Sequence, residues 1–551
     1  MIRDLPVRWD REVDVIVVGS GGAAMTAATL AHDGGAEVLI VEKDVKLGGT
    51  TGVSGGVMWL PQNHHMASAG IEDSREDAIA YIERLARDHP HDPALVEAWV
   101  DAAPRALAYL EANTPVRMMT VPDFPDYYYP FDVPGKRPGG RSVEPVPYAV
   151  SDELPEWQDK LNNRIADPSL GGSSTLAEDM SGRAADMAEE LADRAARDIR
   201  TKGPALIARL FRGLLDRGVE ALLGTPATAL VVHDGEVLGV GCESADGPIT
   251  IGARKGVVLA CGGFEWNREL VRAFIGYEIK PLSPGGNVGD GLLMAMEAGA
   301  ALGNMNSYWG QPAMLHPEIV RDGELVPQFE CGRGEPGTII VNGAGRRFAN
   351  ESLPYNDFPK AFGRFDPTGV AFPNAAPAWQ IFDQGVKTSI PILGVGPGEA
   401  APDWMHESAT IRELAARLAI DPDALENTVE RFNEGAARGE DPDFDRHRVG
   451  IMGPGRLRPL DRGPFYAVEI HPGALGTNGG PRLDEHGRVR RARGGVVPGL
   501  YAAGNTAANT FGWAYPSGGG TIGNGVVFGF LAGQHVAKQP DRELAGRGER
   551  S

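Results

Sequence analysis

A glycine-rich turn near the N-terminus has the spacing of a site that binds the pyrophosphate of a dinucleotide. The sequence from residue 14 reads DVIVVGSGGAAMTAATLAHDGGAEVLIVEKD, in which Gly19, Gly21 and Ala24 fit the pattern G-x-G-x-x-G/A. The first glycine permits a tight turn, the second lets a phosphate approach the backbone, and the third small residue packs helix on strand. The helix N-terminus offers free N–H groups and positive partial charge to the phosphate. Glu42 closes the second strand, where an acid can bind a ribose hydroxyl pair.

A second loop rich in glycine and hydroxyl groups follows directly and favours a long, extended cofactor. A nicotinamide-binding chain usually continues here with another strand–helix unit, whereas this sequence reads KDVKLGGTTGVSGGVMWLP. Two later apolar strands also end in small residues, in GVVLACGGFEWN (256–267) and GLYAAGNTAANTFGW (499–513). Together these segments resemble an FAD-binding chain of the succinate dehydrogenase and fumarate reductase flavoprotein superfamily.

That resemblance implies FAD as the cofactor and identifies the residues expected to bind it. Cys261 is interpreted as a small buried residue of this site rather than as a redox thiol. The helix after the C-terminal glycine turn would direct its positive end at the pyrimidine edge of the flavin. The expected cofactor-binding residues are Gly19, Gly21, Gly22, Ala23, Ala24, Glu42, Lys43, Gly49, Thr50, Thr51, Ser54, Gly55, Gly56, Ala227, Cys261, Gly262, Gly263, Gly504, Asn505, Gly520, Thr521 and Ile522.

Three further motifs place tyrosines beside proline or glycine turns. They are VPDFPDYYYPFDVPGKRPGGRSVEPVPY (121–148), GRRFANESLPY (345–355) and YPSGGGTIG (515–523). By default, a tyrosine in such a loop is a surface or packing residue. In this order, and together with the flavin loops, the motifs resemble the 3-ketosteroid dehydrogenases, most nearly the Δ1-dehydrogenase family. The resemblance extends from Asp14 to about Ala537.

The resemblance implies dehydrogenation of a 3-ketosteroid between C1 and C2, with a hydride passing to flavin N5. The Tyr515 hydroxyl and the Gly519 N–H would both donate to the C3 carbonyl oxygen. Tyr355 would take the α-proton, and Tyr127 would support it. A free tyrosine has a pKa of about 10, so a base role requires a shifted pKa or a proton relay between phenols. Phe124 would form part of an apolar wall for a flat, rigid ligand.

The C-terminal motif departs from the family pattern. Its loop reads Tyr-Pro-Ser-Gly-Gly where the family usually has Tyr-Pro-Gly-Pro-Gly, so Ser517 adds a hydroxyl beside the expected catalytic phenol and is a candidate substrate contact. The 3-ketosteroid Δ4-(5α)-dehydrogenases act on the other side of the same carbonyl and remain an alternative. The run of three tyrosines leaves open whether Tyr127 or Tyr128 faces the substrate. Asn350 and Glu351 either orient their loop or have a structural role.

Two other classes of function also fit the flavin loops. A fumarate-reductase-like enzyme needs Arg and His side chains at the substrate carboxylates. The places expected for them read NESLPYND, which has neither residue, and GALGTNGGPR, in which the last residue is the one Arg and there is no His. Tyrosines stand at the site instead. A flavin-binding redox protein without turnover has no need of the phenol motifs. We therefore favour the ketosteroid interpretation over both.

Composition limits the range of partners and compartments. A chain of 551 residues is too long to fold around a single hydrophobic core. Its net charge of −21 argues against nucleic acid or an anionic membrane as a partner. The three cysteines form neither a disulfide framework nor a zinc site. No run reaches the about 20 apolar residues of a bilayer span, and the N-terminus lacks a secretory signal. We expect a cytoplasmic enzyme with a hydrophobic, steroid-like substrate, an unidentified electron acceptor and no metal; the sequence indicates no oligomeric state.

The elements that position these motifs are predicted as an α/β fold. A discontinuous Rossmann-like FAD-binding domain, residues 1–285 and 478–551, would carry an inserted α+β substrate domain at 286–477. Residues 72–113 and 175–218 are predicted helical, the first with a Ser-x-x-Asp start signal. The LIARLFRGLLDRG end of the second favours a packed helix over a membrane-surface helix. ALVVHDGEVLGVGCES predicts a hairpin with Asp-Gly at its turn.

Overall fold

Branched apolar side chains build a central, mostly parallel sheet. The computed structural model describes residues 1–2, 6, 8–87, 89, 91–163, 172–321, 324–450 and 455–544. Arg11–Val18 runs parallel to both of its neighbours, Val38–Val41 and Gly247–Leu259. Such strands are covered on both faces, which explains their continuous apolar runs. Across the sheet the strand order is Arg488–Arg490, Val496–Ala502, Gly247–Leu259, Arg11–Val18, Val38–Val41 and Glu220–Leu222.

A hairpin extends this first sheet. Ala227–His233 pairs antiparallel with Glu236–Ser244, which in turn pairs with Gly247–Leu259. Asp234 and Gly235 form the turn, both with positive φ, so the predicted hairpin is confirmed. The parallel strands, their connecting helices and the added antiparallel strands confirm the predicted α/β class.

The second sheet lies in the later part of the chain. Its long central strand, Phe465–Thr477, pairs with four other strands. Helices Ile411–Arg417 and Pro422–Ala437 cover it through a separate apolar cluster that includes Ile381, Leu414 and Phe432. The strands are Lys280–Pro281, Tyr308–Arg321, Glu324–Phe329, Thr338–Val341, Ala378–Asp383, His406–Ser408 and Phe465–Thr477. The limits 1–285, 478–551 and 286–477 stay a prediction for the two domains.

Short strands and helices complete the fold. Small sheets pair Met58–Trp59 and Met118–Thr120 with Ser142–Pro145, Leu302–Gly303 with Gly480–Pro481, and Tyr148–Ala149 with Ile199–Arg200. No helix in the described part of the chain has the length and apolar content that a bilayer span requires. The α-helices are Gly22–Asp33, His64–Ser68, Arg75–Ala86, Pro93–Asn113, Val150–Glu153, Leu176–Met180, Ala188–Ala196, Lys202–Leu215, Arg268–Phe274, Asp290–Glu297, Gln384–Lys387, Ile411–Arg417, Pro422–Ala437 and Gly520–Ala537.

Both predicted helical regions are present, and each is divided into separate helices. Ser74 accepts a hydrogen bond from the Asp77 N–H at the start of Arg75–Ala86, as the Ser-x-x-Asp signal predicts. The second region is broken by the short strand Ile199–Arg200, which pairs across to Tyr148–Ala149. Nearly every residue of Lys202–Leu215 is buried, which confirms a packed helix.

The C-terminal helix packs directly on the backbone of the first helix. Ideal Cβ atoms at Gly529 and Gly533 would lie 2.4 and 2.5 Å from the carbonyl oxygens of Ala23 and Ala27. Real Cβ atoms do not approach so closely, so only glycine permits this contact. The contact places the start of Gly22–Asp33 against the middle of Gly520–Ala537.

We expect Gly533→Ala to destabilise the protein by about 1–3 kcal/mol, the usual cost of forcing a methyl group into a packed interior. Alanine gains about 1 kcal/mol of helix propensity over glycine, but the clash is with backbone that cannot rotate away. Urea denaturation measures the change. Gly343→Ala is the matched control because a Cβ there meets nothing within 4 Å, and equal stability of the two variants would contradict the close contact.

Candidate active site

A cavity of about 540 Å³ lies at the carboxyl ends of the parallel strands. Val18, Val41, Ala260 and Gly504 line it, each at or just after the end of a strand of the first sheet. This is the edge at which open α/β sheets bind ligands. Its volume falls within the range of about 300–1,000 Å³ typical of small-molecule sites.

The backbone around one part of this cavity fits a dinucleotide. Gly21, which directly precedes helix Gly22–Asp33, has only the Thr51 Oγ1 within 4 Å of an ideal Cβ, so its open side remains available to a phosphate. At Gly56 and Gly262, in contrast, an ideal Cβ would lie 2.3 Å from neighbouring protein atoms. The loops therefore approach one another as closely as glycine allows. They do so beside the N-terminus of helix Gly22–Asp33, whose positive end suits a phosphate.

Side chains at the rim of this region are held in place by one another. Glu42 accepts a hydrogen bond from the Ser20 hydroxyl at 2.6 Å, and burial raises the pKa of its carboxyl. Lys43 forms an ion pair with Asp290 at 2.6 Å. Burial also raises the pKa of the Cys261 thiol to about 11, which agrees with its interpretation as an unreactive residue, since the thiolate is the reactive form.

Most residues expected to bind the cofactor line the cavity. The exceptions are Ala24, which is fully buried, Gly263, whose Cβ would lie 2.3 Å from Thr477 Oγ1, and Gly520, the first residue of the C-terminal helix. The lining positions from that expectation are Gly19, Gly21, Gly22, Ala23, Glu42, Lys43, Gly49, Thr50, Thr51, Ser54, Gly55, Gly56, Ala227, Cys261, Gly262, Gly504, Asn505, Thr521 and Ile522. Their individual roles stay predictions.

Three tyrosines from distant parts of the chain meet at one wall of the cavity. The ring centroid of Tyr127 lies 5.4 Å from that of Tyr355 and 5.7 Å from that of Tyr515. The rings of Tyr355 and Tyr515 are 5.7 Å apart. Phe124 extends the wall at 5.9 Å from Tyr127. The motifs at 121–148, 345–355 and 515–523 thus form one aromatic cluster.

Backbone carbonyls of the C-terminal loop attach it to the 121–148 segment. The Pro516 carbonyl accepts from the Tyr127 N–H at 3.0 Å and from the Tyr81 hydroxyl at 2.7 Å. The Gly518 carbonyl accepts from the Ser142 hydroxyl at 2.8 Å. Ser517, fully buried, donates to the Pro125 carbonyl at 2.8 Å and is not among the cavity-lining residues. We therefore place Ser517 in support of the loop rather than on the substrate.

The two predicted carbonyl-binding groups have unused donor capacity. The Tyr515 phenol oxygen accepts from the Thr521 hydroxyl at 3.2 Å and its N–H at 3.4 Å, which leaves the phenol proton to donate elsewhere. Gly519 lines the cavity with φ of +93°. Among the residues that the structure describes, its N–H has no hydrogen-bond partner. A ketone oxygen could use both donors.

The Tyr355 and Tyr127 phenols are protonated at neutral pH. Burial, together with the nearby Tyr127 and Tyr515 phenols, raises the pKa of Tyr355 well above its usual value. Burial and the Tyr515 phenol raise the pKa of Tyr127 in the same direction. An ionised phenol therefore does not exist beforehand at either position, which favours a relay of protons between the hydroxyls over a preformed base.

The neighbours of these tyrosines are engaged elsewhere. Tyr128 is not among the cavity-lining residues; its hydroxyl donates to the Asp357 carboxylate at 2.8 Å, so Tyr127 is the phenol that faces the cavity. Glu351 is fully buried and forms an ion pair with Arg347 at 2.7 Å. The Asn350 amide donates to two backbone carbonyls. These contacts support a structural role for Asn350 and Glu351.

Several cavity residues were missed from the sequence. Asn287, from a PGGN turn, donates to Thr50 Oγ1 at 2.9 Å and to Glu265 at 2.8 Å, and its place in a glycine turn was the available signal. The antiparallel pair formed by Tyr308–Arg321 and Glu324–Phe329, with the loop that follows it, adds another wall. No motif marks its members, which are Gln311, Phe329, Glu330 and Arg333.

One group of possible metal ligands is not part of the cavity. His64 and His65 both contact the Glu111 carboxylate, with nitrogen–oxygen distances of 2.7 and 3.0 Å. Glu111 also accepts from the Met118 N–H at 2.7 Å. These contacts account for the group as a partly exposed cluster in which two imidazoles share one carboxylate.

Comparisons with known proteins agree with the geometry. Residues 14–522 match the FAD binding domain family. The chain is 35% identical to 4-oxocyclohexanecarboxylate 2-dehydrogenase of Sinomonas cyclohexanicum over 96% of this chain and 93% of the relative. It is also 35% identical to 3-oxosteroid 1-dehydrogenase of Mycobacterium tuberculosis over 96% and 99%. The crystal structure of 3-ketosteroid Δ1-dehydrogenase from Sterolibacterium denitrificans with 1,4-androstadiene-3,17-dione matches with a TM-score of 0.86 and 31% identity, over 96% of this chain and 99% of that one.

We expect Gly21→Ala to fold normally but to lose most of its FAD. The added methyl meets only Thr51 Oγ1 at 3.7 Å, an ordinary contact, and the backbone angles of Gly21 suit alanine. On its open side the methyl occupies space that a phosphate needs. The ratio of flavin to protein absorbance and the melting temperature without flavin give the two readouts. Full FAD content would contradict this placement of the pyrophosphate.

The raised phenol pKa values predict that Tyr355→Phe leaves the folded-state tyrosinate absorbance unchanged up to pH about 11, where free phenols have largely ionised. The same substitution should remove one of twelve phenols from the denatured-state titration. Because the folded-state pKa is raised, the stability that this phenol contributes is present below pH about 10 and is lost as the pH rises further. A fall in folded-state absorbance near pH 10 in the variant would show that Tyr355 ionises normally.

Proposed function

The chain belongs to the FAD binding domain family and is an FAD-dependent oxidoreductase, and from this premise we propose that it dehydrogenates a 3-ketosteroid between C1 and C2. The observation that carries the proposal is the meeting of Tyr127, Tyr355 and Tyr515 with the Gly519 N–H, which has no partner among the described residues, at one cavity wall. Dehydrogenation beside a ketone needs carbonyl donors, an α-proton acceptor and a hydride acceptor. The first two are provided by these residues.

The carbonyl oxygen would bind between the Tyr515 hydroxyl and the Gly519 N–H. Negative charge grows on this oxygen as the α-proton departs, and donors fixed in advance stabilise that charge most where water is excluded. Tyr515 is 4% exposed and is itself held by Thr521 at the N-terminus of Gly520–Ala537. A phenol that accepts one hydrogen bond becomes a stronger donor in the next.

Proton removal would fall to Tyr355, with Tyr127 as its partner. Since both phenols are protonated at rest, the α-proton reaches the Tyr355 oxygen as the Tyr355 hydroxyl proton passes to Tyr127. The Tyr127 hydroxyl proton leaves in the same step to solvent through the cavity, which Tyr127 lines. Such a coupled transfer avoids a free phenolate in an apolar surrounding. Bound FAD supplies the acceptor for the hydride. Phe124 and Leu475 give the cavity apolar surface for a flat ring system.

A smaller cyclic keto acid is the second candidate substrate. Arg333 is among the residues that line the cavity, and a guanidinium is the usual partner of a carboxylate. Arg333 already contacts the Glu330 carboxylate at 3.2 Å and donates to the Glu351 carbonyl. A substrate carboxylate would have to compete with Glu330, so we place the neutral steroid first.

The proposal includes two features of the cellular setting. Flavin that has accepted a hydride must be reoxidised, so a separate electron acceptor is required. A reducing cytoplasm is consistent with Cys242, Cys261 and Cys331, which are thiols rather than disulfide partners.

The test is anaerobic titration of the purified flavoprotein with three ketones, followed by loss of flavin absorbance and product identification. Androst-4-ene-3,17-dione should bleach the flavin and yield the 1,4-diene. Bleaching only by the 5α-saturated steroid, with the 4-ene as product, would reassign the enzyme to the Δ4-(5α) reaction. Bleaching only by 4-oxocyclohexanecarboxylate would replace the steroid with the keto acid, and no bleaching by any of the three would reject the proposed chemistry.

Variants assign the roles within the same assay. Tyr355→Phe should slow flavin reduction by about 10²–10⁴-fold, the range for loss of a general base. Tyr515→Phe should slow it by about 10²–10³-fold, the range for loss of one oxyanion donor. Tyr129→Phe is the control, since Tyr129 lies in the same run but is 40% exposed. Equal rates for Tyr355→Phe and Tyr129→Phe would remove Tyr355 from the mechanism.

A further inference from the structure

Next to the three cavity tyrosines lies a network of polar groups that the proposed reaction does not use. Its centre is the Asp357 carboxylate, which accepts from the Tyr128 hydroxyl at 2.8 Å and from the Asn356 amide at 3.0 Å. The Lys360 ammonium donates to the Trp513 carbonyl, as does the Asn356 amide at 3.1 Å.

Each member of the network is a close chain neighbour of a cavity tyrosine. Tyr128 follows Tyr127, and Asp357 lies two residues after Tyr355. Trp513 lies two residues before Tyr515 and supplies only its backbone. Three segments that are more than a hundred residues apart are therefore joined immediately behind the three phenols.

Formation of the network also costs free energy, because it buries charged side chains, which an ordinary contact between loops does not require. Burial raises the pKa of Asp357 and lowers that of Lys360 to about 8, although each charge favours the other. Charged groups removed from water are destabilising unless they are paired and hydrogen-bonded. Apolar side chains could tie these loops together without that cost, but they would not fix the direction of each segment as hydrogen bonds do.

We propose that Asp357, held by Tyr128 and flanked by Lys360, is a positioning residue that sets the mutual distances of Tyr127, Tyr355 and Tyr515. This inference rests on the proposed function, because it assigns a purpose to the spacing of those phenols. Reacting groups must be held to within a fraction of an ångström, and a displacement of about 1 Å can cost about 100-fold in rate. Asp357 touches neither the cavity phenol oxygens nor the cavity itself.

The variants Asp357→Asn and Tyr128→Phe test this in the FAD-loaded protein. Each keeps the shape of its side chain and weakens the same hydrogen bond. We expect each to slow flavin reduction by about 10–100-fold, with unchanged FAD content and an unchanged dissociation constant for the steroid product. The double variant should be no slower than either single variant, because both remove one shared interaction. Asp403→Asn, at an exposed position, is the matched control.

Hydrogen exchange of the flavin-free protein gives a readout that does not depend on turnover. Asp357→Asn should increase exchange at 126–131 and at 513–519, both far from residue 357 in sequence. Faster exchange confined to the neighbourhood of residue 357 would overturn the proposal, as would additive losses of rate in the double variant. If the wild-type protein reduces its flavin with none of the three ketones, the proposed function fails, whereas the exchange result still decides whether Asp357 couples the segments.

Discussion

The close contact between the first and last helices is the constraint on which the site depends. Gly529 and Gly533 let the helix Gly520–Ala537 lie against the carbonyls of Ala23 and Ala27. Because the two helices run side by side, the glycine turns that precede them arrive at the same cavity. One turn offers N–H groups where a pyrophosphate is expected, and the other offers Tyr515 and Gly519 to a ketone. A side chain at Gly529 or Gly533 would push the two helices apart and so separate the expected pyrophosphate site from the expected ketone site.

A second requirement is that flexible, glycine-rich loops be made rigid. The C-terminal loop achieves this through its own backbone, since the carbonyls of Pro516 and Gly518 accept hydrogen bonds from Tyr81, Tyr127 and Ser142. The 121–148 segment is fixed in turn by the buried ion pair between Arg141 and Asp126 at 2.8 Å. Phenols mounted on such loops can stay protonated and close together without an opposing charge. The phenol that accepts the α-proton is therefore prepared by the rigid position of its loop rather than by a lowered pKa.

The sequence predicted the parts of the fold and site whose chemistry is local. Glycine spacing, apolar strands and an Asp-Gly turn each depend on a few adjacent residues. The hairpin was therefore predicted correctly, and most residues of the expected cofactor loops line one cavity. Ser517 shows the limit of this reasoning. Its position beside Tyr515 suggested a substrate contact, but its hydroxyl turns to the Pro125 carbonyl. The direction of a side chain depends on the partner that folding brings to it, and no local pattern contains that information.

The sequence did not predict one wall of the cavity, for a related reason. This wall is formed by Gln311, Phe329, Glu330 and Arg333. Whereas the phenols bear on the reaction, this wall bears on which substrate is accepted. These residues lie on or just after the antiparallel pair Tyr308–Arg321 and Glu324–Phe329, where backbone pairing maintains the structure whatever the exposed side chains are. The phenols, in contrast, depend on particular contacts with loops of the first sheet. Substitutions on the hairpin can therefore change the ring system that is accepted while the chemistry beside the ketone persists. The Glu330–Arg333 ion pair is the contact whose loss would change the substrate most directly. Without Glu330, the Arg333 guanidinium could bind a substrate carboxylate in an otherwise largely apolar cavity.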